Sequence, residues 1–268
     1  TVNNNTVDVY KDKKMKIHGS NLCSEICLPT SDEISFVCCL SSINIRHYKE
    51  WKDTDAVETL VMFLDTVITD FLENLEDLKN SEDQEKQTAF YFMQRAYKFA
   101  KEHRALGLGV LGWHTYLQEN NIAVESDEAN ILNKEIFKLI SEKSYKASAD
   151  LAKDYGEPEI LKGYGRRNTT LMAIAPTTSS AFILGQVSQG IEPYMSNAFV
   201  KDVDKMKVTI KNPALVELLE AKGQNTPEVW GSIRDNDGSV QHLTFLTPHE
   251  KMVFRTFSEI DQKVIINQ

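Results

Sequence analysis

Residues 55–78 carry Val57, Leu60, Val61, Leu64, Ile68, Phe71, Leu72 and Leu75 at spacings of three and four. That period gathers the apolar side chains into one stripe of a helix, which must bury that stripe against another element. A second helix is predicted to reach about His103, with Ser81 and Gln84 in the spacing of a capping box. Residues 127–155 predict a third, ended by Gly156 and Pro158. Asn212-Pro213, Thr226-Pro227 and Thr247-Pro248 with Glu250 announce further helices, each a cap residue followed by Pro at the first helical position. Strand-like runs are fewer: Ile34 to Leu40, Thr169 to Ala175, and a possible hairpin across Phe199 to Ile210. The chain should be mostly helical, with few strands and no repeat or clear linker.

A length of 268 residues suits one large core or two small ones, and 41% hydrophobic with 26% charged residues is ordinary for a soluble globular protein. The net charge of −9 argues against a partner with a phosphate backbone, so any nucleotide here should be a small substrate. No apolar run approaches the roughly 18 residues of a membrane span, and the polar start Thr1-Val2-Asn3-Asn4-Asn5 is not a signal peptide. A cytoplasmic protein with neither membrane nor nucleic-acid partner is expected. A first residue of Thr rather than Met, and an apolar last stretch with no Gly or Pro to stop it, read as a piece of something longer.

The chemistry gathers near the start. Asn21-Leu22-Cys23-Ser24-Glu25 puts an amide, a thiol and a carboxylate at alternate positions. If the segment is extended, all three point to one face. A thiol can exchange a hydrogen atom, a carboxylate can accept a proton, and an amide can orient a hydroxyl. The plain alternative is a structural loop with buried cysteines. Cys38 follows on the strand-like run, near enough in sequence to lie beside Cys23.

All four cysteines fall between Cys23 and Cys39, unlike a disulfide framework spread across a secreted fold. Zinc is the rival, but the spacings Cys-x3-Cys and Cys-Cys lack a Cys-x2-Cys pair, so no metal site is expected. A Cys38–Cys39 disulfide is disfavoured because consecutive Cα atoms sit about 3.8 Å apart, short of the roughly 4.4–6.8 Å a disulfide needs. One thiol should face the site and the other the packing.

Gly107-Leu108-Gly109-Val110-Leu111-Gly112 matches the G-x-G-x-x-G spacing of dinucleotide sites. It lacks the context, because the charged run Tyr97 to Arg104 stands where a buried strand should precede it. Close backbone packing is the better reason for these glycines. At Ala175-Pro176-Thr177-Thr178-Ser179-Ser180 an apolar run stops at Pro and four hydroxyl residues follow. Hydroxyls and backbone N–H groups at a helix start suit a phosphate; a turn with one Ser or Thr cap is the alternative.

Together these landmarks resemble one family. Ser20-Asn21-Leu22-Cys23-Ser24-Glu25, Val37-Cys38-Cys39-Leu40-Ser41-Ser42, Arg104-Ala105-Leu106-Gly107-Leu108-Gly109-Val110, Pro176-Thr177-Thr178-Ser179-Ser180 and Gly190-Ile191-Glu192-Pro193-Tyr194 occur in the order found in the catalytic (large) subunit of class I ribonucleotide reductase. The tail, Asp237 to Leu243 and Glu259 to Gln262, resembles its bacterial or phage form.

The resemblance implies a fold and a set of roles. The fold is α/β: one segment, residues 1–268, of a ten-stranded α/β barrel, with a finger loop at about 20–30, a phosphate loop at 176–180 and much of the helical coat. Cys23 would become the thiyl radical that abstracts the 3′-hydrogen of a ribonucleoside diphosphate, giving 2′-deoxyribonucleotides. Glu25 would take the 3′-hydroxyl proton, and Asn21 would orient the ribose hydroxyls. Cys38 matches one of two cysteines that supply electrons and end as a disulfide, although the adjacent Cys39 blurs that match. Thr177, Thr178, Ser179 and Ser180 match the phosphate loop. Cys27 matches no family role, and core packing is expected of it.

Other family parts have no counterpart here: the regulatory domain, the effector site, the second reducing cysteine, the radical-relay tyrosines and the C-terminal cysteine pair. The expected partners are therefore the remaining large-subunit fragments, a metal-containing small subunit that supplies the radical, and thioredoxin- or glutaredoxin-type electron donors. No cofactor should bind this segment itself. A zinc-binding module, a non-catalytic nucleotide-binding module and a dehydrogenase using Gly107 to Gly112 stand as alternatives.

Overall fold

The computed structural model describes residues 7–203 and 206–267. The polar start and residues 204–205, the tip of the expected hairpin, lie outside them. Its helices are α1 (Asp8–Asp12), α2 (Tyr48–Trp51), α3 (Ala56–Asn80), α4 (Gln84–His103), α5 (Trp113–Glu119), α6 (Asp127–Tyr155), α7 (Thr178–Ile183), α8 (Pro213–Ala221), α9 (Pro227–Asp235), α10 (Pro248–Val253) and α11 (Gln262–Asn267). The strands are β1 (Cys39–Asn44), β2 (Leu106–Leu111), β3 (Ala198–Val203) and β4 (Met206–Lys211). Among the described residues, no helix is long and apolar enough to cross a membrane.

The described residues form two compact units: those within 1–43, 49–109 and 138–175 make the first, and those within 44–48, 110–137 and 176–268 the second. In the first, α3 buries Val57, Val61, Leu64, Ile68, Leu72 and Leu75, the stripe predicted by their spacing. It packs along α4. The start of α4 differs from expectation: Asp83, not Ser81, is the cap, its carboxylate accepting from the Glu85 amide at 2.8 Å. Ser81 Oγ accepts instead from the Asp83 amide. A carboxylate beside a helix N-terminus is the stronger acceptor, and Asp83 is the residue next to the first turn. The helix 127–155 forms with the predicted ends, and Gly156, at φ +81°, closes it by donating to the Ala152 carbonyl at 2.9 Å.

The strand expected over 34–40 begins only at Cys39. Ile34, Phe36 and Val37 pack on a core of Val9, Tyr10, Ile26, Leu28, Phe99 and Leu161, so their apolar character reflects burial of a loop rather than a ladder. β1 pairs with β2, and residues 169–173 run parallel to β2 through the Leu108–Met172 bridge rather than as a full strand. Leu106 and Leu108 donate to the Thr170 and Leu171 carbonyls at 3.0 and 2.8 Å. The two glycines of β2 make this approach possible. A Cβ on Gly107 would lie 2.3 Å from Leu40 Cδ2, and one on Gly109 2.3 Å from the Ala173 carbonyl oxygen. Both glycines sit inside the strand, as close packing requires.

In the second unit α8, α9 and α10 bury Leu215, Leu219, Trp230, Ile233 and Val253 in one cluster. Their caps are those read from the sequence: Asn212 and Thr226 accept from Ala214 and Val229 amides, and Thr247 with Glu250 forms a reciprocal box. β3 and β4 form the expected antiparallel hairpin, with Ala198 opposite Lys211.

Candidate active site

The segment carrying Asn21, Cys23 and Glu25 is a turn, not an extended run. The Ser24 amide donates to the Asn21 carbonyl at 3.1 Å, the Asn21 amide to the Ile26 carbonyl at 3.2 Å, and the Ile26 amide to Asn21 Oδ1 at 3.0 Å. Ser24 takes φ +67°. The expected alternation therefore fails: an Asx-type closure by Asn21 competes with a strand and wins. The turn lifts Cys23 to an exposed apex beside Leu22, which is 98% exposed. It returns the chain inward at Ile26, which joins the core. Asn21's amide oxygen is engaged in closing the turn.

Glu25 and Cys38 are brought together. Both line a cleft of about 570 Å³ in the first unit, with Cys27, Tyr145, Thr169 and Met172 among the other walls. Glu25 Oε2 is buried with no hydrogen-bond partner among the described residues. An unmatched buried acceptor is costly unless a proton or donor arrives. Burial pushes the Cys38 thiol up to about 12, with Cys39 and the Glu25 carboxylate adding to the shift. At neutral pH Cys38 is therefore an S–H group rather than a thiolate. Cys39 is half-buried, does not line this cleft, and is also raised by burial. Cys27 packs on the core as expected and also shows to the cleft.

Sequence reasoning missed one group behind this cleft. Tyr10 is fully buried, and its hydroxyl donates to Thr169 Oγ1 at 2.9 Å and lies 3.0 Å from His103 Nδ1. Nothing in the pattern around Tyr10 marks it, because its partners lie 93 and 159 residues away. Burial raises the Tyr10 hydroxyl well above its ordinary value and lowers His103 to about 4, so both stay neutral.

In the second unit the chain turns at Thr177, a β-branched residue at φ +53°, and enters α7. That conformation costs about 1–3 kcal/mol, so its surroundings must enforce it. The Thr177 side chain makes no capping bond to α7; its Oγ1 accepts from the Gly190 amide at 2.9 Å. Thr178 Oγ1 lies 3.4 Å from Gln189 Oε1, and Thr178, Ser179 and Ser180 are exposed. The hydroxyls are thus not consumed as helix caps, which was the plain alternative. Among the described residues no three His, Cys, Asp or Glu side chains gather as metal ligands.

The family model described as ribonucleotide reductase, barrel domain, matches residues 1–161 and 158–268. The chain belongs to the ribonucleotide reductase barrel-domain family. It is 56% identical to the Actinobacillus ureae class Id ribonucleotide reductase alpha subunit, with a TM-score of 0.86 over 97% of this chain and 46% of that one. It is 42% identical over 268 residues to a putative ribonucleoside-diphosphate reductase large subunit of Frog virus 3, covering 100% of this chain and 45% of the relative. A ribonucleoside-diphosphate reductase subunit alpha of Chlamydia pneumoniae is 30% identical, with 93% of this chain and 27% of the relative covered. The chain spans less than half the length of these relatives. The expected fold holds: this is an α/β segment of the reductase barrel, about half helical and with few strands.

Proposed function

We propose that this chain is the catalytic portion of a ribonucleoside-diphosphate reductase, acting with the remaining parts of the large subunit and a radical-generating small subunit. The observation that carries this reading is the pairing of Glu25 and Cys38 in one cleft, at the foot of a turn whose apex is Cys23. In the proposed chemistry the Cys23 sulfur, as a thiyl radical, takes the 3′-hydrogen of the ribose: an S–H bond forms and the C3′–H bond breaks. The unmatched Glu25 oxygen accepts the 3′-hydroxyl proton, and the free NH₂ of Asn21 holds the ribose hydroxyls. The 2′-hydroxyl leaves as water with a proton from the reducing thiol pair, a hydrogen from that pair takes its place at C2′, and the 3′-hydrogen returns from Cys23 as the thiyl radical re-forms, the pair ending as a disulfide. Cys38, held as S–H by its surroundings, supplies one of the two thiol hydrogens and one of the electrons, its partner cysteine being on another part of the subunit. Electrons return from a thioredoxin- or glutaredoxin-type dithiol.

The four hydroxyl residues 177–180 belong to the loop that takes the substrate's diphosphate. The segment needs no cofactor of its own; a metal-containing small subunit delivers the radical, and the reaction belongs in the cytoplasm. The test is Cys23→Ser in the complete enzyme. Serine's O–H cannot carry the hydrogen atom, so turnover to deoxyribonucleoside diphosphate should vanish while diphosphate binding persists. Measurable product from that variant would overturn the reading.

A further inference from the structure

One motif of the sequence, Gly190 to Tyr194, has no role in this chemistry, and the structure ties it to the loop that does. Four residues, Thr115, Gln186, Ser188 and Tyr194, lock the segment that follows α7. The Ser188 amide donates to Thr115 Oγ1 at 2.8 Å, and the Thr115 amide donates back to Ser188 Oγ at 3.2 Å. The Tyr194 hydroxyl donates to the Gln186 carbonyl at 2.9 Å and lies 2.8 Å from Thr115 Oγ1. A phenol has one proton, so the Thr115 hydroxyl must be the donor to Tyr194. The Tyr194 amide in turn donates to His114 Nδ1 at 3.0 Å, on a side chain that is buried and, with its basicity lowered by burial to about 3, neutral. The segment so fixed ends at Gly190, whose amide donates to Thr177 Oγ1. Thr177 is the residue held in the left-handed region directly before α7.

We infer that Thr177 is a positioning residue: its hydroxyl is a strut to Gly190, braced through Tyr194, that sets the course of the loop 178–180. A β-branched residue does not enter the left-handed region without an enforcing contact, and the Gly190 amide is the contact present. Releasing it lets Thr177 relax toward ordinary φ, which re-aims the residues at the start of α7. This inference rests on the phosphate reading of the loop, and its test separates the two.

The complete large subunit is titrated with a ribonucleoside diphosphate by equilibrium dialysis, for the wild type, Thr177→Val, Thr177→Ser, Tyr194→Phe, Thr177→Val with Tyr194→Phe, and Ser179→Ala with Ser180→Ala. Deuterium exchange of the peptide holding Gly190 is followed in parallel. Thr177→Val should weaken binding about tenfold, and Thr177→Ser, which keeps the hydroxyl, should restore it. Gly190 should exchange faster in Thr177→Val, in Tyr194→Phe and in the two combined, and not in Thr177→Ser. Because both residues act through one segment, the Thr177→Val and Tyr194→Phe losses should not multiply. Losses that multiply, or a serine variant as weak as valine, would overturn the strut. If Thr177→Val does not fold, Tyr194→Phe alone must still weaken binding, and its effect must disappear when Ser179 and Ser180 are both Ala; persistence there overturns the inference. Unchanged affinity in the Ser179 and Ser180 variant, with Gly190 still responding to Thr177→Val, would leave the strut standing and sink the phosphate reading together with the role inferred from it.

Discussion

Arg104 holds Asp65 in a two-pronged grip, Nε to Oδ1 at 2.7 Å and Nη2 to Oδ2 at 2.9 Å. Both side chains are only 6% exposed. Arg104 stands in the left-handed region at the end of α4, and Asn168 donates to both its carbonyl and Asp65 Oδ1. Arg167 Nε reaches Asp65 Oδ2 at 2.9 Å. Burial alone would raise the Asp65 carboxyl, but the Arg104 bond and charge, with Arg167 and Asn168, hold it below the usual range. This one carboxylate joins α3 to the end of α4 and to the segment that leads into the cleft wall.

Asp65→Asn should therefore cost about 3–5 kcal/mol, since it strands two guanidinium groups in a dry site. Urea unfolding of the wild type and the variant measures it, and a loss under about 1 kcal/mol would show the cluster to be no better than a surface pair.

Alkylation should rank the thiols. Cys23 is exposed, whereas Cys38 is half-buried and held protonated by its surroundings. Iodoacetamide at pH 8 should label Cys23 well before Cys38, by at least about tenfold in rate; peptide mass spectrometry reads the order.

Cys38 and Cys39 should part company in the assembled enzyme. With Cys38→Ser the first hydrogen abstraction should proceed and normal product should not form, so the enzyme inactivates with release of the base. Cys39→Ser should turn over normally. The reverse pattern, read by product chromatography, would move the reductant role to Cys39.

Two buried histidines predict an acid-sensitive fold. His103 is lowered to about 4 and His114 to about 3, both first by burial, against about 6.5 when unfolded. Between those values the unfolded chain binds more protons, so their contribution is complete above about pH 6.5 and is lost as pH falls toward 4 and 3. The unfolding free energy from urea titrations should drop from pH 7 to pH 5, by up to about 1.4 kcal/mol per pH unit for each histidine. His103→Asn and His114→Asn should each flatten the slope.

Two glycines should respond with opposite signs. Gly109→Ala places a methyl 2.3 Å from the Ala173 carbonyl oxygen and should cost about 1–3 kcal/mol. Gly231 lies inside α9 with nothing within 4 Å of a new Cβ, so Gly231→Ala should gain about 0.5–1 kcal/mol. Thermal midpoints of the two variants decide it.

Much of the helical architecture was legible because its signals are local. The stripe on α3, the ends of α6 and the Pro-marked caps of α8, α9 and α10 depend on residues within a few positions of one another. The failures are where a nearby competitor intervened: Asp83 took the cap from Ser81, and Asn21 bent into a turn what alternation would make a strand. Candidates for the site were legible one by one, from their chemistry and order. Their setting was not, because the wall opposite Glu25 and Cys38 comes from Tyr145, Thr169 and Met172, more than a hundred residues on. The hydroxyls of 177–180 showed where the loop is, but the Gly190 bond that bends it follows from no spacing rule.

The turn under Cys23 is closed entirely by bonds among residues 21–26. Its entropy is surrendered when the chain folds, so on the proposed function a ribose would meet a thiol already at its station and need spend none of its own affinity on ordering the loop. The rigidity also sets a direction for engineering: changes that loosen Asn21 should weaken ligand recognition even where every reacting atom is kept.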